Sequence, residues 1–97
     1  MDDMLVQITT RIIQEQALII GPIAWEEAQQ IEGLAVDIKI HKISFIVTNT
    51  KSREEVVNKL VKRYEQLFGR ASVEVCRDAV KDLIVDTPAE QIPSLLR

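Results

Sequence analysis

The sequence predicts a mainly α-helical fold: four helices forming two helix-Gly-helix pairs, with a short central β-hairpin or extended loop at residues 34–49. Three observations carry that expectation. Apolar residues recur at helical spacing on both sides of the middle segment, glycines interrupt the two periodic runs at Gly21 and Gly69, and between Leu34 and Val47 the period changes to two. Residues 1–97 read as a single domain, with 94–97 as a frayed tail beyond Pro93.

Asp2 or Asp3 can cap a first helix whose apolar stripe is Leu5, Ile8, Ile12 and Ile19, widened by Val6, Ile13 and Ile20. Gly21 suits the left-handed position that ends a helix, and Pro22 suits the first position of the next, because its missing N–H has no partner there. A tight corner follows. The second helix turns Ile23, Ala24, Ala28 and Ile31 inward with Trp25 on the flank, places Glu26 and Glu27 where the helix dipole favours negative charge, and closes at Gly33.

In the middle segment Leu34, Val36, Ile38 and Ile40 alternate with polar or small residues, and Ile43, Phe45 and Val47 alternate again after a shift of one. A two-residue turn at His41-Lys42 would pair Ile40 with Ile43, Ile38 with Phe45 and Val36 with Val47 on one face. His-Lys lacks the Asn-Gly chemistry of such turns, so a wider loop or a bulge stands beside that reading. Ser52-Arg53-Glu54-Glu55 reads as a capping box for the third helix, with Val56, Val57, Leu60, Val61, Tyr64, Leu67 and Phe68 inward. Gly69 stops it. Ala71 or Ser72 opens a fourth helix with Val73, Cys76, Val80, Leu83 and Ile84 inward, and Thr87-Pro88-Ala89-Glu90 offers one last turn.

Shifting the chain by the 48 residues between Gly21 and Gly69 superposes apolar on apolar, but only the glycine and one glutamate are identical over 8–31 and 56–79. Any two helix-Gly-helix units aligned on their glycines would match in this way. The Ile20-Gly21-Pro22-Ile23-Ala24 corner resembles a small helical module at the C-terminal ends of bacterial signalling proteins, beside kinase or receiver domains, in which Gly-Pro-Ile-Ala joins two helices. Ala71-Ser72-Val73 through Cys76-Arg77-Asp78-Ala79 resembles the continuation of that module, standing here behind the second corner, Gly69-Arg70. The resemblance implies a regulatory context in bacterial signalling, with no ligand or activity attached.

Composition narrows the function classes. The chain is 46% hydrophobic and 4% aromatic, so aliphatic packing must carry the core. Its longest apolar stretch, Ala17 to Trp25, is short of the ~20 residues a membrane helix needs and contains Gly21 and Pro22. The start Met1-Asp2-Asp3 lacks the basic opening of a secretory signal, and Cys76 is the sole cysteine, so the expected setting is a reducing cytoplasm. Charge is uneven: residues 1–33 hold six acids against Arg11, whereas 51–81 hold eight Lys/Arg against five acids.

No residue pattern points to catalysis, a metal or a cofactor. His41 and Cys76 are each alone of their kind, which provides no zinc-ligand spacing, and Cys76 falls on the inner face of helix four as an inert thiol. The acid pairs Asp2-Asp3, Glu26-Glu27 and Glu54-Glu55 all begin helices, where neighbours point about 100° apart and cannot converge on one substrate. A helix-turn-helix across Gly69 would bring Lys59, Lys62, Arg63, Arg70 and Arg77 to DNA, but Glu65 stands where the turn needs a small residue, and Glu74 and Asp78 would face phosphates. The expected role is a noncatalytic protein–protein interaction or regulatory module, with nucleic-acid binding and an enzyme without a recognisable motif as the alternatives. Its partner is an unidentified protein or a second copy of the chain covering the many Val and Ile residues, and the basic face at Lys59, Lys62, Arg63 and Arg70 is the candidate contact surface.

Overall fold

The structure, a computed structural model, describes residues 4–47, 49–85, 87–89 and 92–96. Among them the chain forms four α-helices, α1 (Met4–Ile20), α2 (Ile23–Gln29), α3 (Thr50–Phe68) and α4 (Ala71–Val80), with strands β1 (Leu34–Asp37) and β2 (Lys42–Phe45) between α2 and α3. The caps expected at Asp2 or Asp3, Glu90 of the last expected turn and Arg97 of the tail lie outside the described residues.

Helix α1 is the central element. It packs on α2, α3, α4 and β2, and its most extensive contact is with α4. Its stripe buries Leu5, Ile8, Ile12 and Ile13, each such side chain contributing roughly 1.5–3 kcal/mol of transfer free energy. Two polar residues share that face. The Thr9 hydroxyl donates to the Leu5 carbonyl at 2.7 Å, and the Gln16 amide donates to the Ser72 carbonyl at 3.0 Å and to the Cys76 sulfur at 3.4 Å, so neither buries an unpaired donor. Because Arg11 reaches the Ala79 carbonyl while Gln16 reaches Ser72, α1 and α4 run antiparallel.

Gly21 ends α1 as expected: its φ of +79° is left-handed, and its N–H donates to the Ala17 carbonyl at 2.9 Å. Helix α2 stops at Gln29, short of the expected Gly33. Gly33 has a different task, because a Cβ on it would stand 2.7 Å from Val56 Cγ2, and its φ of +92° turns the chain into β1.

The hairpin forms with a wider loop than the two-residue turn. Leu34 pairs with Phe45, Ala35 with Ser44, Val36 with Ile43 and Asp37 with Lys42, leaving Ile38–His41 as a four-residue loop. The displacement from the expected register is even, so Leu34, Val36, Ile43 and Phe45 still share the core-facing side. Side-chain chemistry selects this loop: Asp37 Oδ1 accepts from the Lys39 N–H at 3.0 Å, and His41 takes the left-handed conformation at φ +53°.

Helix α3 begins before the expected Ser52 cap. Asn49 is the cap, its Oδ1 accepting from the N–H groups of Lys51 at 2.8 Å and Ser52 at 3.3 Å, which moves Ser52 into the first turn. Asn is as strong a cap as Ser, and here it comes first. Helix α4 ends at Val80, and Leu83 and Ile84, expected on that helix, reach the core from the turns after it.

The tail is corrected as well. Residues expected to fray form a 3-10 turn over Ser94–Leu96, with Ile92, Pro93 and Leu96 buried against α3 and α4. Asn58 holds it from α3, donating to Ser94 Oγ at 3.2 Å and accepting the Leu95 N–H at 3.1 Å, and Arg77 donates to the Leu95 carbonyl from α4. Pro93 breaks helical continuation, yet that break is what directs Ile92 and Leu96 into the groove between the two helices.

Candidate functional site: an apolar end at the two glycine corners

Helices α1 and α3 both carry their apolar stripes one turn past the point where the core covers them. On α1 the stripe continues from Ile12 to Ile19, which is 65% exposed, beside Leu18 at 81%. On α3 it continues from Tyr64 to Leu67 and Phe68, 46% and 37% exposed. Ile23, at the start of α2, is 39% exposed. Ile19, Ile23, Leu67 and Phe68 are all positions that periodicity assigns to the interior, and here that assignment fails.

The failures share one place. Gln16 lies against Ser72, so one turn further along α1, about 4.5 Å, Ile19 comes level with the Gly69 corner that precedes α4. The Tyr64 hydroxyl donates to the Ala24 carbonyl at 2.6 Å, so one turn further along α3 the Leu67-Phe68 pair passes the start of α2 at Ile23. Both glycine corners therefore stand at the same end of the molecule. A Cβ on either Gly21 or Gly69 would meet nothing within 4 Å, as expected of chain turning through open space. Among the described residues, five of the nine exposed large hydrophobics belong to this end, whereas Met4, Ile40, Ile46 and Val85 lie on other segments.

The structure divides the candidate basic face. Lys59, Lys62 and Arg70 are exposed, but Arg63 is engaged in holding α3 to α2: its Nε donates to Glu27 Oε1 at 2.8 Å and its Nη2 to Gln30 Oε1 at 3.4 Å. Glu27 is 14% exposed, so this pair is better shielded than a surface ion pair. On α4 the outward positions include Glu74, Arg77 and Asp78. Arg77 lies within 3.7 Å of Glu74 and is also turned to the tail, while Arg11 pairs with Asp82 at 3.3 Å. A helix reading DNA through that face would set Glu74 and Asp78 against phosphates.

The titratable groups with displaced equilibria are interior ones. Burial pushes the Cys76 thiol up to about 11, with the Gln16 hydrogen bond opposing it, so the sulfur is protonated at neutral pH, opposite to a nucleophilic thiolate. Burial likewise raises the Tyr64 hydroxyl, helped by Cys76 and Glu27, and keeps it a donor to Ala24. His41, expected as a plain turn residue, instead stacks on Trp25 with ring centroids 4.3 Å apart and planes 7° from parallel. Trp25 is 3% exposed and belongs to the core, not to its flank. That contact had no sequence signal, since it needs the hairpin tip folded back over α2.

A shallow groove of about 650 Å³ lies beside β1, lined by Gln29, residues 35–39 and Ser44, with Asp37 and Lys39 its charged members. Among the described residues no three His, Cys, Asp or Glu side chains come together as a metal cluster would require, and no helix is long and apolar enough to cross a membrane. Comparison with protein families, with characterised proteins and with solved structures found no match, so the apolar end is read from its own geometry.

Proposed function

We propose that this protein is a noncatalytic protein–protein interaction module that docks through the apolar end formed by Ile19, Ile23, Leu67 and Phe68. The observation that carries this reading is that helical periodicity on both α1 and α3 runs on past the core, leaving interior-type residues at 37–65% exposure at one end of the molecule. Ile19, Ile23, Leu67 and Phe68 together present roughly 370 Å² of apolar surface, taking on the order of 200 Å² for one fully exposed large apolar residue. A patch of that size is in the range of the largest apolar patch on a monomer, which is often a contact site. Arg70 at the second corner supplies charge at its edge, where it steers and orients a partner more than it holds one. The resemblance of the Ile20–Ala24 corner to a module of bacterial signalling proteins supports a regulatory setting in such a cell.

A photo-crosslinking residue placed at position 19 or 68 in the native host tests this. A discrete cross-linked protein product is expected from both positions and not from exposed position 51, at the start of α3 and far from the corners. Equal or absent cross-linking at all three positions would overturn the reading.

A further inference from the structure

We infer that two copies pack corner to corner about a two-fold axis, each covering Ile19, Ile23, Leu67 and Phe68 of the other; this rests on the apolar end being the docking surface.

Area is the first reason. A stable standard interface buries about 800 Å² per partner, and homodimer interfaces are about 65% apolar, which asks for about 500 Å² of apolar surface from each side. Ile19, Ile23, Leu67 and Phe68 supply about 370 Å² of it, which suits a dimer that assembles at high concentration.

Charge is the second. The two corners stand side by side with opposite sign at their edges: exposed Glu26 follows Gly21-Pro22 in the first turn of α2, and exposed Arg70 follows Gly69. A two-fold rotation brings the acidic corner of one copy over the basic corner of the other, and does so twice, as an isologous contact requires. A rim of one sign would repel its own copy and select a partner of opposite charge. This rim carries both.

Sequence patterning is the third. Ile19, Leu67 and Phe68 continue heptad-like stripes whose earlier members Ile12, Leu60 and Tyr64 are fully buried. The missing layer is therefore of the same kind as the core below it, and helices ending in the same apolar residues supply such a layer.

Light scattering coupled to size exclusion, on the purified full chain at high micromolar concentration, decides the matter. The expected mass is twice the 11.0 kDa of the chain. Ile19→Glu combined with Phe68→Glu should give the single-chain mass with an unchanged far-UV circular dichroism spectrum, and should raise the dissociation constant by at least about 100-fold, since each dimer would bury four uncompensated carboxylates. A wild-type chain that elutes as a monomer overturns self-association, as does a dimer that the double variant leaves intact. A monomer that still cross-links to another protein from position 19 leaves the docking reading standing; a monomer with no cross-link removes both.

Discussion

Ile12 and Ile19 are the same residue on the same helix, seven positions and nearly two turns apart, yet one is fully buried and the other is 65% exposed. Ile12 lies in the part of α1 between Arg11 and Gln16, both of which reach α4. Around Ile19 the neighbouring chain is turning a corner on both sides, at Gly21 and Gly69. A helix registers only its own periodicity, and burial depends on whether another element is long enough to lie across it. The same contrast repeats on α3 between Leu60, fully buried, and Leu67, 46% exposed.

The largest test of that contrast is a matched pair of truncations. Ile12→Ala should cost about 2–5 kcal/mol in urea unfolding, because it removes transfer free energy and leaves a cavity in a close-packed interior. Ile19→Ala, measured at dilution where the chain is a monomer, should stay within about 0.5 kcal/mol of the parent. Equal losses at the two positions would mean the end is covered within one chain.

Glycines offer a second pair. At Gly21 an added Cβ meets only backbone strain at φ +79°, so Gly21→Ala should cost about 1 kcal/mol. At Gly33 the same strain is joined by a contact at 2.7 Å with Val56 Cγ2, and Val56 is 4% exposed with little room to yield, so Gly33→Ala should cost clearly more. Thermal unfolding of both variants measures the difference; a larger loss at Gly21 would place close packing at the corner instead of beside the hairpin.

A third test is a pH dependence that reports how dry the covered region is. The Cys76 thiol has a folded value of about 11 against an ordinary 9.0, so above pH 9 the unfolded chain releases a proton that the folded chain retains. Fewer protons on the unfolded state means that stability falls as pH rises, here between about 9 and 11, by on the order of 1 kcal/mol per pH unit. The raised Tyr64 hydroxyl acts in the same direction. Urea midpoints across that range should decline, and Cys76→Ala should flatten the decline; an unchanged slope would mean that water reaches the α1–α4 contact.

Much of the helical framework was legible because its signals are local. Gly21 occupies the left-handed end of α1, the α3 stripe from Val56 to Tyr64 is buried, and Cys76 is an inert interior thiol. The errors have local causes too. Asn49 and Ser52 are both good caps, and nothing in the sequence says which comes into use. The hairpin's face was set by parity, but its register depended on the Asp37 and His41 loop geometry. Pro93 was read as the start of a frayed tail, and the groove that receives Ile92 and Leu96 exists only once α3 and α4 are side by side. Of the candidate basic face, Lys59, Lys62 and Arg70 remain on the surface, while Arg63 was claimed by Glu27, 36 positions away.

By itself the sequence determined which segments are helical, where the chain corners, and which residues on each helix prefer to leave water, because those follow from side-chain spacing and backbone preference over a few residues. Only the tertiary structure decided that both corners fall at one end and that the stripes of α1 and α3 overrun their cover there. That outcome depends on the antiparallel registers fixed by Gln16 with Ser72 and by Tyr64 with Ala24. Those contacts join residues 56 and 40 positions apart, and no local pattern carries such a distance.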